Sequence, residues 1–99
     1  MVTLKIVFNE KTRKLLEDII INWEDRVIID AYNEDSVEYR KKANGIKNYF
    51  ASESTPFIGV FEENIPIKGF YDDKGVKEHE RCNYKNVNLY LTNYFSKNG

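Results

Sequence analysis

A chain of 99 residues, 41% hydrophobic and 31% charged, has the size and balance of one soluble unit, read as a single domain over residues 1–99, and is too short for two independent cores. Fifteen basic residues against sixteen acidic ones leave a formal net charge of -1, which supplies no general field toward nucleic acid or anionic lipid. The single cysteine, Cys82, excludes an intramolecular disulfide, a cysteine-based zinc cluster and a two-cysteine redox centre within one chain.

From Thr3 to Phe8, Leu4, Ile6 and Phe8 alternate with Thr3, Lys5 and Val7, the period of a strand. Asn9 then offers a helix cap and Glu10 suits the positive end of the helix dipole. No glycine or proline interrupts the run through Trp23. Leu15, Leu16, Ile19, Ile20 and Trp23 recur at helical spacing, so their common face is expected to lie on a sheet. Arg26 to Asn33 is almost continuously apolar at Val27, Ile28, Ile29, Ala31 and Tyr32, the composition of a strand covered on both sides.

Asp35 or Ser36 can cap a second helix, with Glu38 placed to reach back to Asp35. Val37, Ala43, Ile46 and Phe50 form its apolar stripe, and Gly45 is expected to bend or end it. The basic run Arg40-Lys41-Lys42 with Lys47 is diluted by Glu34, Asp35 and Glu38, and reads as a solvated face rather than a nucleic-acid strip. Small and polar residues from Ala51 to Thr55 lead to Pro56.

Pro56 to Phe61 and Ile65 to Tyr71 are β-rich runs joined by Glu62-Glu63-Asn64, a hairpin pattern. Pro66 has no N–H to give a ladder, so its arm is expected at the edge of the sheet. Asp72 to Lys85 is charged, contains Gly75 and reads as an exposed loop, with room for a helical turn from Lys77 to Arg81. A closing amphipathic helix from about Asn86 presents Val87, Tyr90, Leu91, Tyr94 and Phe95. Of the other aromatic residues, Tyr49 and Phe50 precede the loop to Pro56 and read as closing the core.

The order strand, helix, strand, helix, hairpin, helix gives an α/β class with a parallel crossover followed by an antiparallel pair. In outline this βαβαββα order, a four-stranded mixed sheet flanked by helices, resembles the thioredoxin and glutaredoxin family. The local match is Ser54-Thr55-Pro56-Phe57-Ile58-Gly59-Val60-Phe61, then Glu62-Glu63-Asn64, then Ile65-Pro66-Ile67-Lys68-Gly69-Phe70. The resemblance implies a cis-proline at Pro56, and a backbone at Thr55 and Pro56 that pairs with a bound peptide or glutathione.

The family carries Cys-x-x-Cys where this chain has Phe8-Asn9-Glu10-Lys11-Thr12, a junction without a thiol. Asn, Glu and Lys cannot attack a disulfide, so dithiol exchange does not carry over and the module reads as redox-inactive. The expectation is a non-catalytic module that binds a protein or peptide through Asn9, Glu10, Lys11, Thr12, Thr55 and Pro56, with no cofactor. Two alternatives stand beside it: a binder of a small thiol such as glutathione, and a redox protein acting through Cys82 with an external thiol.

Cys82 lies among Glu78, His79, Glu80 and Arg81, where a neighbouring cation favours a thiolate. His79 with Asp72, Asp73, Glu78 and Glu80 has no recognised ligand spacing, so no metal is expected. The sequence opens without a basic region followed by a long apolar run, and no apolar stretch approaches the roughly 20 residues that span a bilayer. A reduced, cytoplasmic protein with no membrane partner is expected, and the abundance of Asn, Lys and Ile fits a bacterial or phage source.

Overall fold

In the computed structural model, which describes residues 1–98, the alternating N-terminal segment forms strand β1 over Val2–Phe8. A 3-10 turn, Glu10–Thr12, leads into helix α1, Arg13–Trp23. Strand β2, Ile28–Asn33, and helix α2, Val37–Asn48, follow. Strands β3, Phe57–Glu62, and β4, Ile65–Tyr71, form the hairpin. A second 3-10 turn, Glu78–Glu80, falls inside the expected helical turn, and helix α3 runs over Tyr84–Asn98.

The strands lie in the order β2-β1-β3-β4, with β1 parallel to β2 and antiparallel to β3, and β3 antiparallel to β4. The hairpin turn is tighter than the sequence suggests. Glu63 and Asn64 both have positive φ, 49° and 69°, as a two-residue turn of the I′ kind requires to match strand twist.

Alternation along the strands sorts the side chains into two layers. Leu4, Ile6, Ile58, Val60 and Phe70 face α1 and α3, where they meet Leu16, Ile19, Trp23, Val87 and Leu91. The Trp23 indole donates to Asn88 Oδ1 at 3.0 Å and the Tyr84 hydroxyl to the same oxygen at 3.1 Å, which ties the two helices together with their polar tips satisfied. The opposite layer is smaller, with Val7 and Phe57 of the sheet buried against Ala43 and Ile46 of α2 and Tyr32, Phe50 and Tyr71 packed around them.

Gly59 and Gly69 are register partners on this second face. A Cβ at Gly69 would stand 2.7 Å from Phe50 Cδ1, and one at Gly59 would stand 3.1 Å from Phe50 Cε2, so the paired glycines give the ring of Phe50 its seat.

Several expectations are corrected. β2 is an edge strand with no buried residue, because only β1 flanks it. Gly45 does not end α2; the helix continues through it to Asn48, since a single glycine costs a helix only about 1 kcal/mol. Val37 is 82% exposed and lies outside the apolar stripe. Ser36 occupies the cap position without a side-chain bond, and Asp35 instead accepts from the Glu10 N–H at 3.2 Å. Phe50 closes the core as expected, whereas Tyr49 is 72% exposed.

Candidate functional site

At one end of the sheet, the turn after β1, the loop before β3 and the start of α3 converge on a cleft of about 310 Å³. Its lining includes Lys11, Thr12 and Leu15 from the first segment, Pro56, and Cys82 and Tyr84 from the last. Residues far apart in sequence meet here because β1 and β3 are adjacent and α1 and α3 cover the same face.

Asn9 and Thr12 shape the first wall as a reciprocal cap. The Asn9 side chain accepts from Thr12 N–H at 3.1 Å and Thr12 Oγ1 accepts from Asn9 N–H at 2.9 Å. The Thr12 hydroxyl proton is directed back to Asn9 as well, with oxygens at 3.1 and 3.2 Å. The hydroxyl is therefore occupied in holding the turn. Glu10 pairs with Arg13 at 2.7 Å, and this hydrogen bond and charge hold its carboxyl below the usual range. On the rim Lys14 pairs with Asp18, while Lys11 makes no ion pair among the described residues.

The second wall is the loop that delivers Pro56, whose bond to Thr55 is cis. Thr55 does not line the cleft. Its hydroxyl donates to the Glu34 carboxylate at 2.6 Å and accepts from Lys47 Nζ at 3.3 Å, and Lys47 and Glu34 pair at 3.7 Å. Lys47, expected on a solvated face, is buried at 6% exposure because it follows Ala43 and Ile46 on the inward side of α2.

Asp73 grips the loop from the other side. Its carboxylate accepts from Ser52 Oγ at 2.8 Å, from the Glu53 N–H at 3.0 Å and from the Ser54 hydroxyl. Burial pushes the Asp73 pKa up, but the hydrogen bonds from Ser54, Glu53 and Ser52 outweigh it and bring the value down to about 2. Neither carboxylate clamp was legible as a partner of the loop, since Glu34 and Asp73 are joined to it only by the fold.

Cys82 corrects the exposed-loop reading of its segment. It is 5% exposed and belongs to the core layer under α3, with its N–H donated to Asp72 Oδ1 at 3.1 Å. Burial pushes the thiol pKa far up, the Asp72 carboxylate adds to the rise, and a hydrogen bond from the Ile58 backbone offsets part of it. At neutral pH the sulfur is a thiol, and nucleophilic attack needs the thiolate.

Of the residues singled out in sequence, Lys11, Thr12, Pro56 and Cys82 meet at the cleft, while Asn9, Glu10 and Thr55 form the framework behind it. Leu15 and Tyr84 were missed as lining residues, although Leu15 was legible as part of the α1 stripe. A larger depression of about 560 Å³ lies on the outer face of α2, between Val37, Arg40 and Asn44, where Gly45 leaves the surface bare. Among the described residues, no group of three or more His, Cys, Asp or Glu side chains could hold a metal ion, and no helix is long and apolar enough to cross a membrane.

The mixed sheet in this order, with helices on both faces, is a thioredoxin-like fold, and solved structures match it across most of the chain. One is thioredoxin-2, a component of the malaria parasite protein secretion machinery, similar at a TM-score of 0.61 with 10% identity over 94% of this chain and 82% of that one. Another, described as a malarial protein, matches at a TM-score of 0.59 with 11% identity over 94% of this chain and 96% of that one. No protein-family model matches the sequence, and no curated protein does.

Proposed function

We propose that this chain is a non-catalytic module of thioredoxin-like fold that binds a protein or peptide partner along the cleft beside Pro56. The observation that carries the reading is the combination of an open cleft with a thiol in its wall that is buried and held protonated. Two further features support it. The loop bearing Pro56 is clamped by carboxylates on both sides, which lowers the ordering cost of binding, and Lys11, which has no ion-pair partner among the described residues, offers a cation at the rim. A lone reduced cysteine fits a cytoplasmic setting.

The test is a titration of isotope-labelled protein with peptides selected against the folded chain from a random displayed library. Amide shifts are expected at Lys11, Thr12, Thr55, Phe57 and Tyr84, and Lys11→Glu is expected to weaken binding of acidic peptides several-fold. Glutathione should leave these signals in place, because the Thr12 hydroxyl is already engaged. Shifts confined to another surface defeat the proposal. So does acceleration of insulin disulfide reduction that disappears in Cys82→Ser.

A further inference from the structure

The two edges of the sheet are built differently. β4 carries Pro66, a shift of register opposite Val60 and Phe61, and Lys68, all of which discourage pairing with another strand. β2 has no proline and no lysine, and its register with β1 is unbroken over all six residues. Nothing in its sequence blunts the edge except Asp30.

Its free side can be assigned residue by residue. Glu34 N–H donates to the Phe8 carbonyl at 2.9 Å, continuing the ladder to β1. Peptide groups alternate along a strand, so Ile28, Asp30 and Tyr32 share that orientation, while the N–H and C=O of Ile29, Ala31 and Asn33 point outward. Apart from the ladder, no hydrogen bond among the described residues reaches the main chain of residues 28–32, and the Asn33 carbonyl accepts only from Ser36 N–H at 3.1 Å. The edge is also accessible. Ala31 is exposed although its register partner Ile6 is fully buried, so the helical layer that Ile29 packs against does not extend over Ala31.

We propose that β2 is an interface between two copies of this chain, paired antiparallel about a two-fold axis at Ala31, which joins the two sheets into one. In that register the outward groups of Ala31 meet those of the partner's Ala31, and Ile29 pairs with the partner's Asn33. The smallest side chain of the strand then meets itself on the axis. Asp30 lies opposite the partner's Tyr32, a carboxylate facing a phenol, and Ile28 comes diagonal to the same ring. Moving the axis to Asp30 sets carboxylate against carboxylate, which is unfavourable. In this register the smallest side chain meets itself on the axis and no two like charges stand directly opposite, which favours a second copy over a foreign peptide.

The test is sedimentation of the full chain from about 10 μM to about 1 mM, where weak self-association becomes populated, with amide exchange followed at both ends of the range. A dimer is expected, with protection gained at Ile29, Ala31 and Asn33. Ala31→Pro removes an N–H that the β1 ladder does not use, and Ala31→Lys places two cations on the axis. Each is expected to weaken the dimer about tenfold or more while leaving a folded monomer. A wild-type monomer throughout overturns the proposal, as does a dimer that Ala31→Lys leaves intact or one whose protection falls on Ile65 to Tyr71.

Discussion

The two faces of the sheet divide the work of the molecule. Beneath α1 and α3 the strands contribute Leu4, Ile6, Ile58, Val60 and Phe70, each nearly or wholly removed from water, and full burial of such a side chain contributes about 1.5–3 kcal/mol. Beneath α2 the corresponding positions include Thr3, Lys5 and two glycines, and the single helix spends an inward position on Lys47. Past the end of α2, Tyr49 stands edge-on to Phe61 and the Lys5 ammonium lies 4.7 Å from the same ring. One face therefore supplies most of the stability. The other gives up apolar area to position the loop that carries Pro56.

This contrast can be broken most severely on the first face. Phe70→Ala is expected to cost about 3–5 kcal/mol in urea denaturation, because the ring is fully buried and its cavity cannot collapse between strands and α3. If Phe50→Ala, a half-buried ring on the other face, costs as much, the faces are not unequal as described.

Lys47→Met tests the second face. It keeps the stem's packing but removes the ammonium from Glu34 and Thr55, and should cost about 1–3 kcal/mol, less than a fully buried pair since Glu34 keeps some contact with water. Amide signals from Ser52 to Phe57 should move more than those of β1. Uniform shifts across the sheet would mean that Lys47 supports the fold rather than the loop.

The smallest effect concerns Asp73. Its folded pKa lies below the ordinary value of 3.8, so its contribution to stability is complete above about pH 4 and is lost as pH falls through about 2. Asp73→Asn is expected to flatten the acid end of the stability profile in that window and to leave the profile at neutral pH unchanged in slope. An unaltered acid limb would show that the clamp on Ser52 and Ser54 does not respond to charge.

How much of this was legible depended on whether the signal was local. The alternation in β1, the stripe of α1, the hairpin and the edge position of Pro66 all follow from neighbouring residues, and the structure carries each of them. β2 was misjudged because Val27 to Tyr32 has the composition of a central strand, and only Asp30 in its middle argued for an edge. The site was half legible. Asn9 to Thr12 and Pro56 were found from a resemblance, but the burial of Cys82 and the grip of Glu34 and Asp73 depend on chain crossings that no short window contains. Lys47 did leave a trace, since Ala43, Ile46, Lys47 and Phe50 follow one helical face.

Cys82 gives the molecule a clock of its own. Because the one thiol is protonated and shut between the cleft and the core, a thiol-directed reagent can modify it only in those moments when that wall parts. The labelling rate then counts openings at a single known place, with no second cysteine to blur the reading. A partner seated in the cleft would slow that count, so occupancy of the site could be followed without knowing what occupies it.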